Sequence, residues 1–161
     1  MVKATTDHKT NAMRALDAAH IPHQTICFET SHALSGVEVA ALLEQDPDQV
    51  FKTLVTVGKS GANYVFLIPV AEELDLKKAA QAVGEKTISM IKSKELLPLT
   101  GYVHGGCSPL GMKKCFTTVI DETAQLFDGI YFSGGRIGAQ IYISPSDLAQ
   151  VLNFSYADLT V

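Results

Sequence analysis

Residues 105–115 read GGCSPLGMKKC, and their types and spacing admit three chemistries beside a plain tight turn. Gly106 and Gly111 stand at the spacing of a phosphate loop, G-x-x-x-x-G-K-[ST], whose backbone N–H groups cradle phosphates. Met112 then occupies the lysine position, and FTTVID at 116–121 reads as a strand where such a loop needs a helix. His104, Cys107 and Cys115 offer metal-binding atoms, but structural zinc takes four ligands in closely spaced pairs, and the five histidines (8, 20, 23, 32 and 104) are scattered. No metal and no other cofactor is expected. The third chemistry is a rigid loop, stiffened by Pro109, that presses its backbone against a substrate. No His–Asp pair is placed beside Cys107 or Cys115, so both read as small packing residues rather than nucleophiles.

Two cations compete for attention. Lys52 lies inside the apolar run VFKTLVTV, sharing a face with Val50 and Leu54, while Phe51, Thr53 and Val55 take the other. On a solvated face it is an ordinary surface lysine. Beside a cavity it is a fixed positive charge suited to a carboxyl, ester or phosphate oxygen. Arg136, in the turn SGGRIG at 133–138, reads as a solvated charge at a hairpin tip.

The elements that must position these residues follow from composition and periodicity. At 161 residues, 47% of them hydrophobic and only 19% charged, the chain suits one ordered domain spanning 1–161. A net charge of −4 argues against a DNA-binding protein, because phosphate neutralisation supplies most of non-specific affinity. Contact with one end of an RNA is still compatible with it. The N-terminus MVKATTDHKTNAM has no apolar leader region, and YVFLIPVA is far too short for a membrane span. Three cysteines without a C-x-x-C fit a reducing cytoplasm.

TNAMRALDAAH places Ala12, Met13, Leu16 and Ala19 at helical spacing, and Ile21-Pro22 stops it. HQTICFE reads as a strand with Ile26 and Phe28 on one side. Ser35 and Glu38 form a capping box for a short helix. VFKTLVTV, the turn KSGAN and YVFLIPVA form the clearest hairpin, with Pro69 marking an edge or bulge. LDLKKAAQAVG is the clearest helix, capped by Gly84. KTISMI is a strand, and SKELLPL a helix opened by Ser93 and broken by Pro98. Further strands are expected at FTTVID, IYFSGG and AQIYIS, with one or two helical turns at DETAQLF and a Ser144-capped helix from Pro145. The tail NFSYADLTV has no clear assignment. Interspersed strands and helices with several hairpins predict a mixed α/β (α+β) domain, a mixed sheet with helices packed around it.

FKTL (51–54), LDLKKAA (74–80), GYVHGGCSPLGMKK (101–114) and IYFSGGR (130–136) stand in one order. That order resembles the YbaK/EbsC family of aminoacyl-tRNA deacylases across residues 12–158. The resemblance implies a bent, partly barrel-like sheet around a pocket, related to the editing domain of bacterial prolyl-tRNA synthetases. It implies hydrolysis, in trans, of the ester joining a wrong amino acid to tRNA, most typically Cys-tRNA(Pro). Lys52 aligns with the family's essential lysine, with Thr53 beside it. Gly105, Gly106, Ser108 and Pro109 match its G-x-x-x-P loop, which would hold the ester and terminal adenosine, and Ser133 and Gly134 would close another wall. Cysteinyl ester cleavage in the family is ascribed to the substrate's own thiol, so no general base is expected and Cys107 is not the nucleophile.

Two positions depart from the pattern: Phe28 stands where some relatives have tyrosine, and Gln140 where some have aspartate. Both changes bear on amino-acid choice. They also sustain a second reading, a non-catalytic module that binds an aminoacyl or nucleotide end and regulates something else. The implied partners are the aminoacyl-tRNA acceptor end and prolyl-tRNA synthetase, with no membrane and no DNA.

Overall fold

The computed structural model describes residues 9–161, so the stretch Met1–His8 that was read for a leader, and His8 with it, lies outside the described residues. The chain runs α1 (Asn11–Ala18), β1 (Gln24–Cys27), α2 (Gly36–Leu42), β2 (Phe51–Gly58), β3 (Asn63–Pro69), α3 (Leu76–Val83) and β4 (Ile88–Met90). It continues through α4 (Ser93–Thr100), β5 (Thr117–Asp121), a 3₁₀ turn (Glu122–Leu126), β6 (Ile130–Ser133), β7 (Ala139–Ile143), α5 (Pro145–Leu148) and β8 (Phe154–Ala157).

The mixed α/β class is as expected, but the strands form two sheets rather than one bent sheet. A three-stranded antiparallel sheet has the order β1-β7-β6, and a five-stranded mixed sheet the order β4-β2-β3-β5-β8. Neither closes into a barrel. The two are stitched together where Val50, just before β2, bridges Tyr131 of β6, and where Tyr131 donates its N–H to the carbonyl of Gln49 at 3.0 Å. The edge of one sheet therefore meets the start of the other strand by strand, and the cavity described below opens at that seam.

Alternation along β2 and β3 splits the apolar side chains between two cores. Phe51, Val55, Val65 and Leu67 join the larger core with Leu16, Ile120, Phe132 and Ile141. Phe66 and Ile68 face α3, through Ala79 and Ala80, in the smaller one. Lys52 shares the second face with Leu54 and sits opposite Ile68. Among hydrophobic side chains, Phe66, Leu67, Ile68, Ile120 and Ile141 are fully buried.

The capping box of α2 is complete: Glu38 N–H donates to the Ser35 hydroxyl, and Ser35 N–H donates to the Glu38 carboxylate. Gly84 ends α3 in the left-handed conformation. Three expectations change. Lys92, without a side-chain bond, precedes α4 in place of Ser93, and Pro98 lies inside that helix, which runs on to Gly101. Pro98 there removes one backbone donor without ending the helix. Pro69 lies on the central strand β3, but at its last position, beyond the final β5 partner pair Leu67–Ile120, so its missing N–H leaves no ladder bond unmade. The unassigned tail contains β8, which pairs parallel to β5.

Candidate functional site

Three backbone segments meet at one wall. Gly106 packs against the 133–138 turn so closely that a Cβ there would lie 3.0 Å from the backbone of Arg136. Gly111, at φ 71°, abuts the start of α1, where a Cβ would come within 2.5 Å of Asn11. Thr10 caps α1 through its hydroxyl and also donates that hydroxyl to the carbonyl of Gly134, joining helix and turn. Tyr102 donates its buried hydroxyl to the Leu110 carbonyl at 2.5 Å and spans the loop from within. The glycines thus serve close backbone packing as well as turning. Gly111 is followed by no helix, as a phosphate loop would require, but by β5.

In front of this wall lies a cavity of about 550 Å³, within the range of small-ligand sites. Strand β2 and the residue before it contribute Val50 to Val55, and α2 with its lead-in contributes Leu34 to Val37 and Val39. Met90, Ile91, Ser93 and Leu96 form a third side. The glycine loops supply His104, Gly105, Cys107, Ser133 and Arg136. A second, more open depression of about 530 Å³ lies across Phe28 and Gly138, lined also by Glu29 to Ser31 and Ile137.

Of the residues singled out from sequence, Lys52, Thr53, Phe28, Gly105, Ser133 and Gln140 line the larger cavity together. Gly106, Ser108, Pro109 and Gly134 stand behind its surface. The Gly106 N–H is taken by the Val103 carbonyl at 3.0 Å, and the Gly134 N–H by Ala139 at 2.8 Å. Ser108 is fully buried, and its hydroxyl accepts the Leu110 N–H at 3.4 Å. Gly106 and Gly134 thus shape the loops with their backbone N–H groups already used, and Pro109 has none to offer.

Arg136 differs from its reading as a solvated tip charge. It is half-buried, lines the cavity, and places Nη2 3.6 Å from the Cys27 sulfur. The hairpin tip folds back on the neighbouring glycine loop, which no local pattern of SGGRIG announces. The lining segment Leu34–Val39 was also missed: its capping box marks a helix but not the direction that helix faces.

Burial holds the Lys52 ammonium below the ordinary lysine pKa, and the carboxylates of Glu73 and Glu72 act against that shift. Burial also pushes the Cys107 thiol up to about 12, with a hydrogen bond from Thr100 opposing. The thiol at the cavity wall is therefore neutral. The Thr53 hydroxyl, on the other face of β2 from Lys52, is enclosed and has no hydrogen-bond partner among the described residues. Among the described residues no three His, Cys, Asp or Glu side chains gather as metal ligands. The arrangement offers two cations, hydroxyls and a rigid wall to a ligand with an anionic or ester group.

Residues 30–151 match the family of aminoacyl-tRNA editing domains. A candidate Cys-tRNA(Pro)/Cys-tRNA(Cys) deacylase of Enterococcus faecalis, EbsC, is 42% identical over 99% of this chain and 98% of its own. A proline–tRNA ligase of Shouchella clausii is 32% identical over 52% of this chain, a match that spans 15% of the ligase. Among solved structures, a candidate trans-editing enzyme for prolyl tRNA synthetase superposes with a TM-score of 0.84 at 25% identity, over 98% of this chain and 99% of that one.

Proposed function

The chain belongs to the family of aminoacyl-tRNA editing domains, and on that premise we propose that it is a trans-editing deacylase for mischarged tRNA, with Cys-tRNA(Pro) as its substrate. The observation that carries the reading is the convergence of the partly buried Lys52, the unpartnered Thr53 hydroxyl, Gly105 and Ser133 on one cavity of about 550 Å³. That is a site for one aminoacylated nucleotide end, not for a nucleic-acid duplex.

An aminoacyl ester is already activated, so holding it and stabilising the developing oxyanion supplies most of what the reaction needs. Lys52 binds the charged 3′ end and keeps the ester carbonyl in place. Ser133 donates to a substrate oxygen, Thr53 helps form the cavity wall, and Gly105 lets the loop approach without a side chain. In a cysteinyl ester the substrate's own thiol attacks the carbonyl carbon. The bond to the ribose oxygen breaks, the thiol proton ends on that oxygen, and a strained thiolactone leaves to be opened by water. The neutral Cys107 takes no part. The unit of function is the whole chain, 1–161, working in the cytoplasm on tRNA that the synthetase has released. Prolyl-tRNA synthetase is the natural partner, since its product is the substrate.

The test is loss of ester from Cys-tRNA(Pro) with the purified protein and with Lys52→Ala. Acceleration by the wild type, reduced about 100-fold or more in the variant, supports the reading. Protection of the ester by the wild type would favour a binding module instead.

A further inference from the structure

Gln140 lies on β7, the central strand of its sheet, directly across from Ser133 on one side and Ile26 on the other. It is 3% exposed and lines the cavity. Its amide is matched by that of Gln45, 95 residues away. Gln45 Nε2 donates to Gln140 Oε1 at 2.7 Å, and Gln140 Nε2 donates to Gln45 Oε1 at 2.9 Å. Each amide uses one N–H and one lone pair in this clasp, which leaves Gln140 a second N–H and a second lone pair at the cavity wall.

Gln45 reaches this position through an unusual helix end. Glu44 follows α2 with φ 54°, a left-handed conformation that normally falls to glycine. The N–H of Glu44 donates to the Ala41 carbonyl at 3.3 Å, and that of Gln45 to Ala40 at 2.9 Å, the double closure of a Schellman end. A non-glycine residue held there, immediately before the clasp, marks a backbone whose direction matters more than its local comfort.

The rest of α2 is lightly held. Ala40 packs into a small cluster with Val50 and Val70, while Val37 and Leu42 are exposed. Yet α2 and its lead-in form one whole side of the cavity. We propose that Gln45 is a positioning residue: by clasping Gln140 it fixes α2 against β7 and thereby sets how large an acyl group the cavity admits. The proposal rests on the deacylase reading. It makes acyl selectivity depend on a residue that touches no substrate, through a neutral pair whose strength does not change with pH.

The experiment measures kcat and KM for tRNA(Pro) charged with cysteine and with homocysteine, one methylene longer and still carrying the attacking thiol, for the wild type, Gln45→Ala, Gln45→Glu and Thr56→Val. Thr56 is fully buried, bonds the Tyr64 carbonyl outside the cavity, and controls for loss of stability alone. Gln45→Ala is expected to narrow the kcat/KM preference for cysteinyl over homocysteinyl ester by about tenfold, the scale on which a pocket senses a side chain's size. The narrowing arises from homocysteinyl ester gaining, with its KM falling. Gln45→Glu, which keeps an acceptor for Gln140 Nε2 but sets a second carboxylate oxygen against Gln140 Oε1, narrows the preference as well, and Thr56→Val leaves it unchanged. An unchanged preference in Gln45→Ala, or an equal loss on both esters, overturns the proposal. A wild type that cleaves neither of them removes the deacylase reading itself, and the proposal with it.

Discussion

Lys52 and Cys107 face the same cavity and are treated oppositely by it. Burial lowers the lysine's pKa, so the unfolded chain binds that proton more tightly than the folded one. Charged Lys52 is therefore a stability cost at neutral pH, and the cost fades as pH rises through the folded pKa toward the ordinary lysine value. A fold that keeps such a cation at a cavity wall gives up stability where it needs charge. For Cys107 burial raises the pKa to about 12, and the reactive thiolate is absent at neutral pH. Iodoacetamide at neutral pH is expected to modify the exposed Cys115 at least about tenfold faster than Cys107, and Cys107→Ser to keep deacylase activity within about threefold of the wild type. Preferential labelling of Cys107, or an inactive but folded Cys107→Ser, would make it a participant.

At the scale of elements, the glycine loop, the 133–138 turn and the start of α1 behave as one unit. A side chain at Gly111 meets two penalties, a left-handed φ and a contact with Asn11 too close for any Cβ. Gly111→Ala should lower unfolding stability by about 2–4 kcal/mol in denaturant titration. A loss under about 0.5 kcal/mol would mean that the loop and α1 are not packed as described. This is also where sequence reading reached its boundary. The 50–57 and 64–71 hairpin, the α3 helix and its Gly84 end, and the Ser35–Glu38 box are local patterns, and local patterns were legible. The role of Arg136 was not, because it depends on the turn folding against Gly106, a contact between segments some 30 residues apart. Gln45 was invisible for the same reason. Lys52 could be read as surface or as site from its strand alone, and only the order of four motifs along the chain separated the two.

For the whole molecule, charge and size set the terms of tRNA contact. The net charge of −4 leaves little general attraction for a polyanion. Exposed Lys92 and Lys94 flank the cavity residue Ser93, and exposed Lys113 and Lys114 lie at the end of the glycine loop, so these four are the lysines placed to meet phosphates beside the cavity. The logarithm of tRNA affinity should then fall with the logarithm of salt with a slope of about −2 to −3, the mark of three or four phosphates. A slope near −8 would require a long basic track that this surface does not provide. The most direct measurement is the rate of ester loss from Cys-tRNA(Pro) at neutral pH with wild type and Lys52→Ala, both verified as folded. Rapid cleavage by the wild type and a loss of about 100-fold or more in the variant is the predicted result, whereas a folded Lys52→Ala that cleaves at the wild-type rate would contradict it.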